Sequence, residues 1–224
     1  MKLTGAIFDL DGTLLDSMPY WESVGLRYLL EQDIPVTDTV TFALRLKTMT
    51  LPEAAAYFRR DFGVQDSVEE ICTHINGMIA DDYRFHAPLK EGVREMLETM
   101  QQNGVRMCVA SATDHRLVEA ALKRLEVLEY FSFILTCGDL NTSKNLPYIF
   151  DECTRRLGTK KASTAVFEDS LHCVITASSA GYPVVGVYDA SAASEEKEIR
   201  SLSCMYVRKW KEFSFSCLGH TAEK

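Results

Sequence analysis

The chain has no apolar run near the roughly 18 to 20 residues that a membrane-spanning helix needs; its longest are a handful of residues. No segment reads as transmembrane, and no membrane is expected as a partner. Positive charge is also short, with 24 Lys and Arg against 32 Asp and Glu and a formal net charge of −8. Nucleic-acid affinity rests on Lys and Arg neutralising phosphates, so no nucleic acid is expected either. The seven cysteines (Cys72, Cys108, Cys137, Cys153, Cys173, Cys204 and Cys217) include no Cys-x-x-Cys pair. Their odd number and spacing suit neither a zinc site nor a small disulfide scaffold, and reduced thiols in a cytoplasmic protein are expected. Asp9 interrupts the first apolar stretch before it reaches signal-peptide length, so no secretory leader is expected. Internal repeats and low-complexity segments are missing as well.

What is present is the composition of a soluble globular protein: 224 residues, 46% hydrophobic and 25% charged, enough for one or two domains. Short β-rich runs occur at 4–9, 106–110, 133–136, 164–167 and 184–188. Helical spacing separates the later ones: Val93, Met96, Leu97 and Met100 recur at i, i+3, i+4 and i+7, as do Leu117, Val118, Ala121, Leu122 and Leu125. Helix and strand therefore alternate from about residue 88 onward, the pattern of an α/β fold with a parallel sheet covered by helices on both faces. Residues 16–87 read differently, as four helices. Ser17 with Pro19 opens one, Leu51-Pro52 another, and Ser67 with Glu70 forms a capping box ahead of Val68, Ile71, Cys72, Ile75, Met78 and Ile79. An insert of that size is far beyond an ordinary connection of about 4 to 6 residues. The expectation is an α/β core of residues 1–15 and 88–224 with an all-helical second domain of residues 16–87.

Two acid pairs stand at predicted strand ends. In Phe8-Asp9-Leu10-Asp11-Gly12-Thr13, an apolar strand runs into carboxylates at i and i+2, which alternation places on one side. Such neighbours repel unless a cation neutralises them or one holds a proton. Glu168-Asp169 follows Ala165-Val166-Phe167 in the same way. Acids from two strands converge only if the strands are neighbours where the sheet order reverses; convergence would build an oxygen-rich Mg²⁺ site. Taken alone, Glu168-Asp169 reads equally well as an acid pair at a helix N-terminus. Ser111 and Ala112 end a third strand just before a helix, where free backbone N–H groups favour phosphate, although a helix cap is the plainer reading. Lys144 sits beside a predicted helix start, where the helix dipole disfavours a cation; an anion facing it would account for that.

In this order, Asp-x-Asp-Gly-Thr, Ser111, Lys144 and Glu168-Asp169 resemble the four motifs of the haloacid dehalogenase-like superfamily. The likeness covers nearly the whole chain, and residues 16–87 resemble the helical cap of the subfamily that includes β-phosphoglucomutase and many small-molecule phosphatases. The resemblance implies a Rossmann-like sheet of strand order 3-2-1-4-5. It implies Asp9 as a nucleophile that becomes an aspartyl phosphate and Asp11 as the acid and base. Mg²⁺ would be held by Asp9, the Asp11 carbonyl and Asp169, with Glu168 in support. Ser111, Ala112 and Lys144 would bind the transferring phosphoryl group. Asp11 argues against a dehalogenase, because a halide leaving group needs no acid.

The expected activity is that of a Mg²⁺-dependent phosphatase acting as a monomer on a small phosphomonoester, a sugar phosphate first among them. A phosphohexomutase is the alternative within the fold. Against it, Trp21 stands where β-phosphoglucomutases carry a cap His, and Leu51 falls where they carry a cation. Further departures from the family pattern are Asn145, Tyr148 and His172-Cys173. Trp21, Arg45 and Lys47 are the candidate substrate residues of the helical domain. Arg45 and Lys47 read equally as exposed cations, and Trp21 equally as core. A phosphorylatable switch is the reading from outside enzymology, and the long helical insert has no purpose in one. No partner is apparent for His74, His86 or His220, and surface or structural roles are expected for all five histidines.

Overall fold

The computed structural model describes residues 2–46, 49 and 51–215. The chain divides into two compact units, one of Met1–Asp16 with Pro88–Lys224 and one of Ser17–Ala87. Among the described residues the first unit holds one six-stranded parallel sheet: β1 (Gly5–Phe8), β2 (Arg106–Ser111), β3 (Phe131–Thr136), β4 (Thr164–Glu168), β5 (Val184–Val187) and β6 (Met205–Val207). The spatial order is β3-β2-β1-β4-β5-β6. This is the expected order carried one strand further. The added strand, β6, is only three residues long and half-buried at its start, too short for an alternation pattern to register.

The second unit contains α1 (Met18–Glu31), α2 (Thr39–Leu46), α3 (Leu51–Phe62) and α4 (Val68–Asp81), followed by a π-helical turn over Asp82–His86. Returning to the first unit, the chain forms α5 (Val93–Gln102), α6 (His115–Arg124), α7 (Tyr148–Leu157), α8 (Leu171–Ser179) and α9 (Glu196–Leu202).

β1 (Gly-Ala-Ile-Phe) is wholly buried, with strands paired on both edges and α7 packed against it. Phe8 stacks on Phe167 with ring centroids 4.4 Å apart, and Trp210 packs against both rings. Burying side chains of this size contributes about 1.5–3 kcal/mol each. That apolar layer fixes the register on which the polar chemistry depends. Phe8 pairs with Val109 on one side and Phe167 on the other. One residue further, Asp9 must therefore come level with Ala110 and Glu168.

Where the chain leaves this unit and returns, its two crossings lie side by side. The Asp16 amide donates to Pro88 O at 2.9 Å and the Lys90 amide to Leu14 O at 2.9 Å. The loop after β1 is thereby tied to the returning chain.

In the helical unit the apolar spacing found its partners. Tyr28, Phe42, Phe58, Ile71, Ile75 and Ile79 are buried, with Phe58 stacked between Tyr28 and Phe42 at centroid distances of 6.0 and 5.8 Å. The capping box forms as read: the Glu70 amide donates to Ser67 Oγ at 3.2 Å, and the Ser67 amide to Glu70 Oε2 at 2.8 Å. Two features were not legible. Arg27 grips the buried Asp82 with both terminal guanidinium nitrogens. His74, expected to stand alone, is 2.9 Å from Glu31; the two are 43 residues apart in sequence, beyond the reach of a periodicity argument.

Candidate active site

β1 ends at Phe8, and Gly12 turns the following loop with a φ of +77°. The strand ends at the residue before Asp9, so strand alternation does not set how Asp9 and Asp11 stand to one another; Asp11 is close enough to raise the pKa of the Asp9 carboxyl. Asp9 stays in the line of β1, buried, and its amide donates to Phe167 O at 3.0 Å. Asp11, half-exposed, instead accepts a 2.7 Å hydrogen bond from Thr113 Oγ1. Glycine at position 12 is required twice: the positive φ suits it, and a Cβ there would strike the Asp169 carboxylate. Thr13 closes the loop from the other side, donating to Asp169 Oδ1 at 3.1 Å.

Asp9, Glu168 and Asp169 come together, with ligand oxygens all within 4.8 Å of one another. Asp9 and Glu168 meet because β1 and β4 are neighbours. Glu168 is the last residue of β4, while Ser170 takes the N-cap position of α8. The acid pair is therefore strand-end chemistry rather than a helix-terminal pair. Lys144 is only 6% exposed and lies before α7, in the segment that leads to it. Its ammonium donates to Asp9 Oδ1 and, at 2.7 Å, to Glu168 Oε1. That explains a cation near a helix start: it answers two buried carboxylates.

The electrostatics are uneven. Burial, opposed by Lys144, leaves the Asp9 carboxyl well above the ordinary carboxylate range, with Glu168, Asp169 and Asp11 adding to the rise. Asp169 is pushed up to about 8, mainly by burial and then by Glu168 and Asp189. Burial alone would lower Lys144, but Asp9 and Glu168 outweigh it and hold the ammonium firmly charged. Burial likewise keeps the nearby thiols of Cys137 and Cys173 protonated. Asp9 and Glu168 share the Lys144 ammonium, and Asp169 lies close beside them without a bond to it. The surplus negative charge and the all-oxygen donor set fit a hard divalent cation such as Mg²⁺ better than a soft metal.

Ser111, fully buried, is the last residue of β2, with Ala112 exposed beside it. The cap of α6 is not Ser111 but Asp114, which accepts from the Arg116 amide at 2.9 Å. Ser111 Oγ instead accepts from the Thr113 amide at 3.0 Å, which leaves the hydroxyl hydrogen to be donated elsewhere. In the helical unit, Trp21 Nε1 donates to Tyr83 Oη at 3.0 Å, and the Arg45 guanidinium lies 4.8 Å from the Tyr57 ring centre. Lys47 lies outside the described residues.

Sequence reasoning missed Thr113 and a buried ion pair. Lys90 Nζ lies 2.7 Å from Asp189 Oδ2 and donates to Tyr188 O at 2.7 Å. Thr113 stood within the hydroxyl-rich strand end already singled out, but nothing in the sequence pointed from it to Asp11.

Residues 6–187 match the family model described as haloacid dehalogenase-like hydrolase, and the chain belongs to that family. Among curated proteins it is 27% identical to validoxylamine A 7'-phosphate phosphatase of Streptomyces hygroscopicus subsp. limoneus, over 85% of this chain and 89% of that protein. It is 26% identical to hexitol phosphatase B of Escherichia coli K12, over 80% of this chain and 81% of that one. Among solved structures, CbbY from Rhodobacter sphaeroides shares the fold with a TM-score of 0.77 at 19% identity, over 97% of this chain and 100% of that chain. The family and the relatives named as phosphatases support a phosphoric monoester hydrolase.

Proposed function

We propose that this hydrolase releases inorganic phosphate from a small sugar or polyol phosphate through a covalent phosphoenzyme formed on Asp9. The observation that carries this reading is the buried constellation at the carboxyl ends of β1 and β4. There Asp9 is gripped by Lys144 beside Glu168 and Asp169, with Ser111 ending the neighbouring strand β2. Relatives that act on a validoxylamine phosphate and on hexitol phosphates support the substrate class.

In this reading an Asp9 oxygen forms a bond to phosphorus as the ester oxygen leaves, and Asp11 supplies the proton that the leaving oxygen needs. A water then forms the new bond to phosphorus, the Asp9–phosphorus bond breaks, and the water's proton returns to Asp11. The Ser111 hydroxyl and the Ala112 backbone amide hold the phosphoryl oxygens, and Lys144 offsets the charge shared by them and Asp9. Asp9, Asp169 and the Asp11 carbonyl, supported by Glu168, would hold Mg²⁺, which supplies positive charge against the phosphoryl group when bound. The α/β unit is the catalytic domain, and the helical unit carries the candidate substrate residues Trp21, Arg45 and Lys47. The relatives' names favour water over a second sugar hydroxyl as the acceptor.

The test is a panel of hexitol, hexose and glycerol phosphates, with and without Mg²⁺ and a chelator, reading released phosphate and isomerised sugar together. Phosphate release that chelation abolishes is the expected result. Isomerised sugar without release would replace hydrolysis with mutase chemistry, and silence throughout would overturn the proposal.

A further inference from the structure

Thr113 has a polar contact that local structure does not require. It precedes α6, whose cap is the neighbouring Asp114, so the Thr113 hydroxyl is not needed to start the helix. Its backbone amide donates to Ser111 Oγ, fixing the residue against the strand end. Its hydroxyl reaches across 102 residues of sequence to Asp11 Oδ2 at 2.7 Å. The loop carrying Asp11 is also held from behind, through the Leu14 carbonyl and the Lys90 amide. Thr113 thus grips the carboxylate itself, while other contacts hold the backbone beneath it.

We propose that Thr113 is a positioning residue for proton transfer, whose hydroxyl holds Asp11 Oδ2 so that the other carboxylate oxygen, Oδ1, meets the leaving oxygen. This rests on the reading of Asp11 as the acid given above. A carboxyl group turns about one bond, and an anchored oxygen removes that freedom. Without the anchor, the acid spends part of its time turned away from the ester. As Asp9 forms its bond to phosphorus and the ester P–O bond breaks, the proton passes from Asp11 Oδ1 to the departing alkoxide. Oδ2 keeps its hydrogen bond from Thr113 throughout. The same Ser111–Thr113 segment then serves both the phosphoryl oxygens and the acid, so binding and protonation share one frame.

An acid matters in proportion to how badly the leaving group needs a proton. An alkoxide needs one, whereas a 4-nitrophenolate leaves without it at neutral pH. The experiment measures kcat/KM, which reports phosphorylation of Asp9, for the fastest alkyl ester of the panel above and for 4-nitrophenyl phosphate. Thr113→Val is expected to lose about tenfold or more on the alkyl ester and less than about threefold on the aryl ester, with Thr113→Ser restoring the alkyl rate. Equal losses on both esters, or no loss on either, would overturn the proposal. So would a Ser variant no better than Val. If Thr113→Val does not fold, Thr113→Ala answers the same question. Asp11→Ala separates this from the parent reading: its alkyl rate should fall by at least about 100-fold, and by much more than its aryl rate. Equal losses in Asp11→Ala would mean that the assignment of the acid had failed, and with it the role of Thr113.

Discussion

The two units bury polar groups for different ends. In the helical unit the buried charge is Asp82, matched by two nitrogens of Arg27, and around it the unit is an aromatic and aliphatic core closed by a capping box. In the α/β unit Asp9, Glu168 and Asp169 crowd together, and the Lys144 ammonium bonds only the first two. A fold selected for stability alone would not keep such a cluster, because desolvated like charges oppose folding. Matched burial therefore marks structure, and mismatched burial marks a place where something charged is meant to bind.

Substitutions can break or sharpen that contrast. Within this contrast Lys144→Met comes first, because it leaves two buried carboxylates without their cation. Phosphate release should fall by about 10²- to 10³-fold, and calorimetry should show a loss of about 3–5 kcal/mol of stability. Next is Gly12→Ala. The added methyl group strikes the Asp169 carboxylate at a positive φ, so turnover should drop by about 100-fold while the melting point falls by only a few degrees. In the helical unit, Asp82→Asn should do the reverse. It weakens a charge-assisted pair and should cost about 1–3 kcal/mol in chemical denaturation, with kcat within about threefold of wild type. If Asp82→Asn abolished turnover with its stability intact, the division between the units would be wrong.

A separate effect concerns pH. The folded Asp169 titrates near 8, far above an unfolded aspartate near 3.9, so in the metal-free protein the folded state holds the extra proton between those values. Stability from this group therefore declines as pH rises from about 4 to about 8 and levels off above that. Melting curves taken in chelator should show the decline, and saturating Mg²⁺ should flatten it.

Much of this was legible in the sequence. β1 to β5 announced themselves by apolar runs, and Asp9, Lys144, Glu168 and Asp169 by charges standing where strands end or helices begin. What escaped were contacts whose two halves carry no local signal. Thr113 and Asp11 are 102 residues apart, Thr13 and Asp169 156, and Lys90 and the Tyr188 carbonyl 98. Each residue alone is an ordinary loop threonine or lysine, and only the sheet order brings the partners together. From sequence, Arg45 could be read as a substrate residue or an exposed cation, and Trp21 as a substrate residue or core. Each has a partner within the helical unit, in the Tyr57 ring and the Tyr83 hydroxyl.

Hydrolysis through a phosphoenzyme requires that Asp9 itself become phosphorylated. Its most direct test is phosphate release by Asp9→Asn compared with wild type on the best substrate of the panel. The side chain keeps its shape and loses its nucleophilic oxygen, so turnover should fall by at least about 10⁴-fold while the melting point holds or rises, because a crowded buried charge has been removed. Wild-type turnover by the well-folded Asp9→Asn protein would contradict the account.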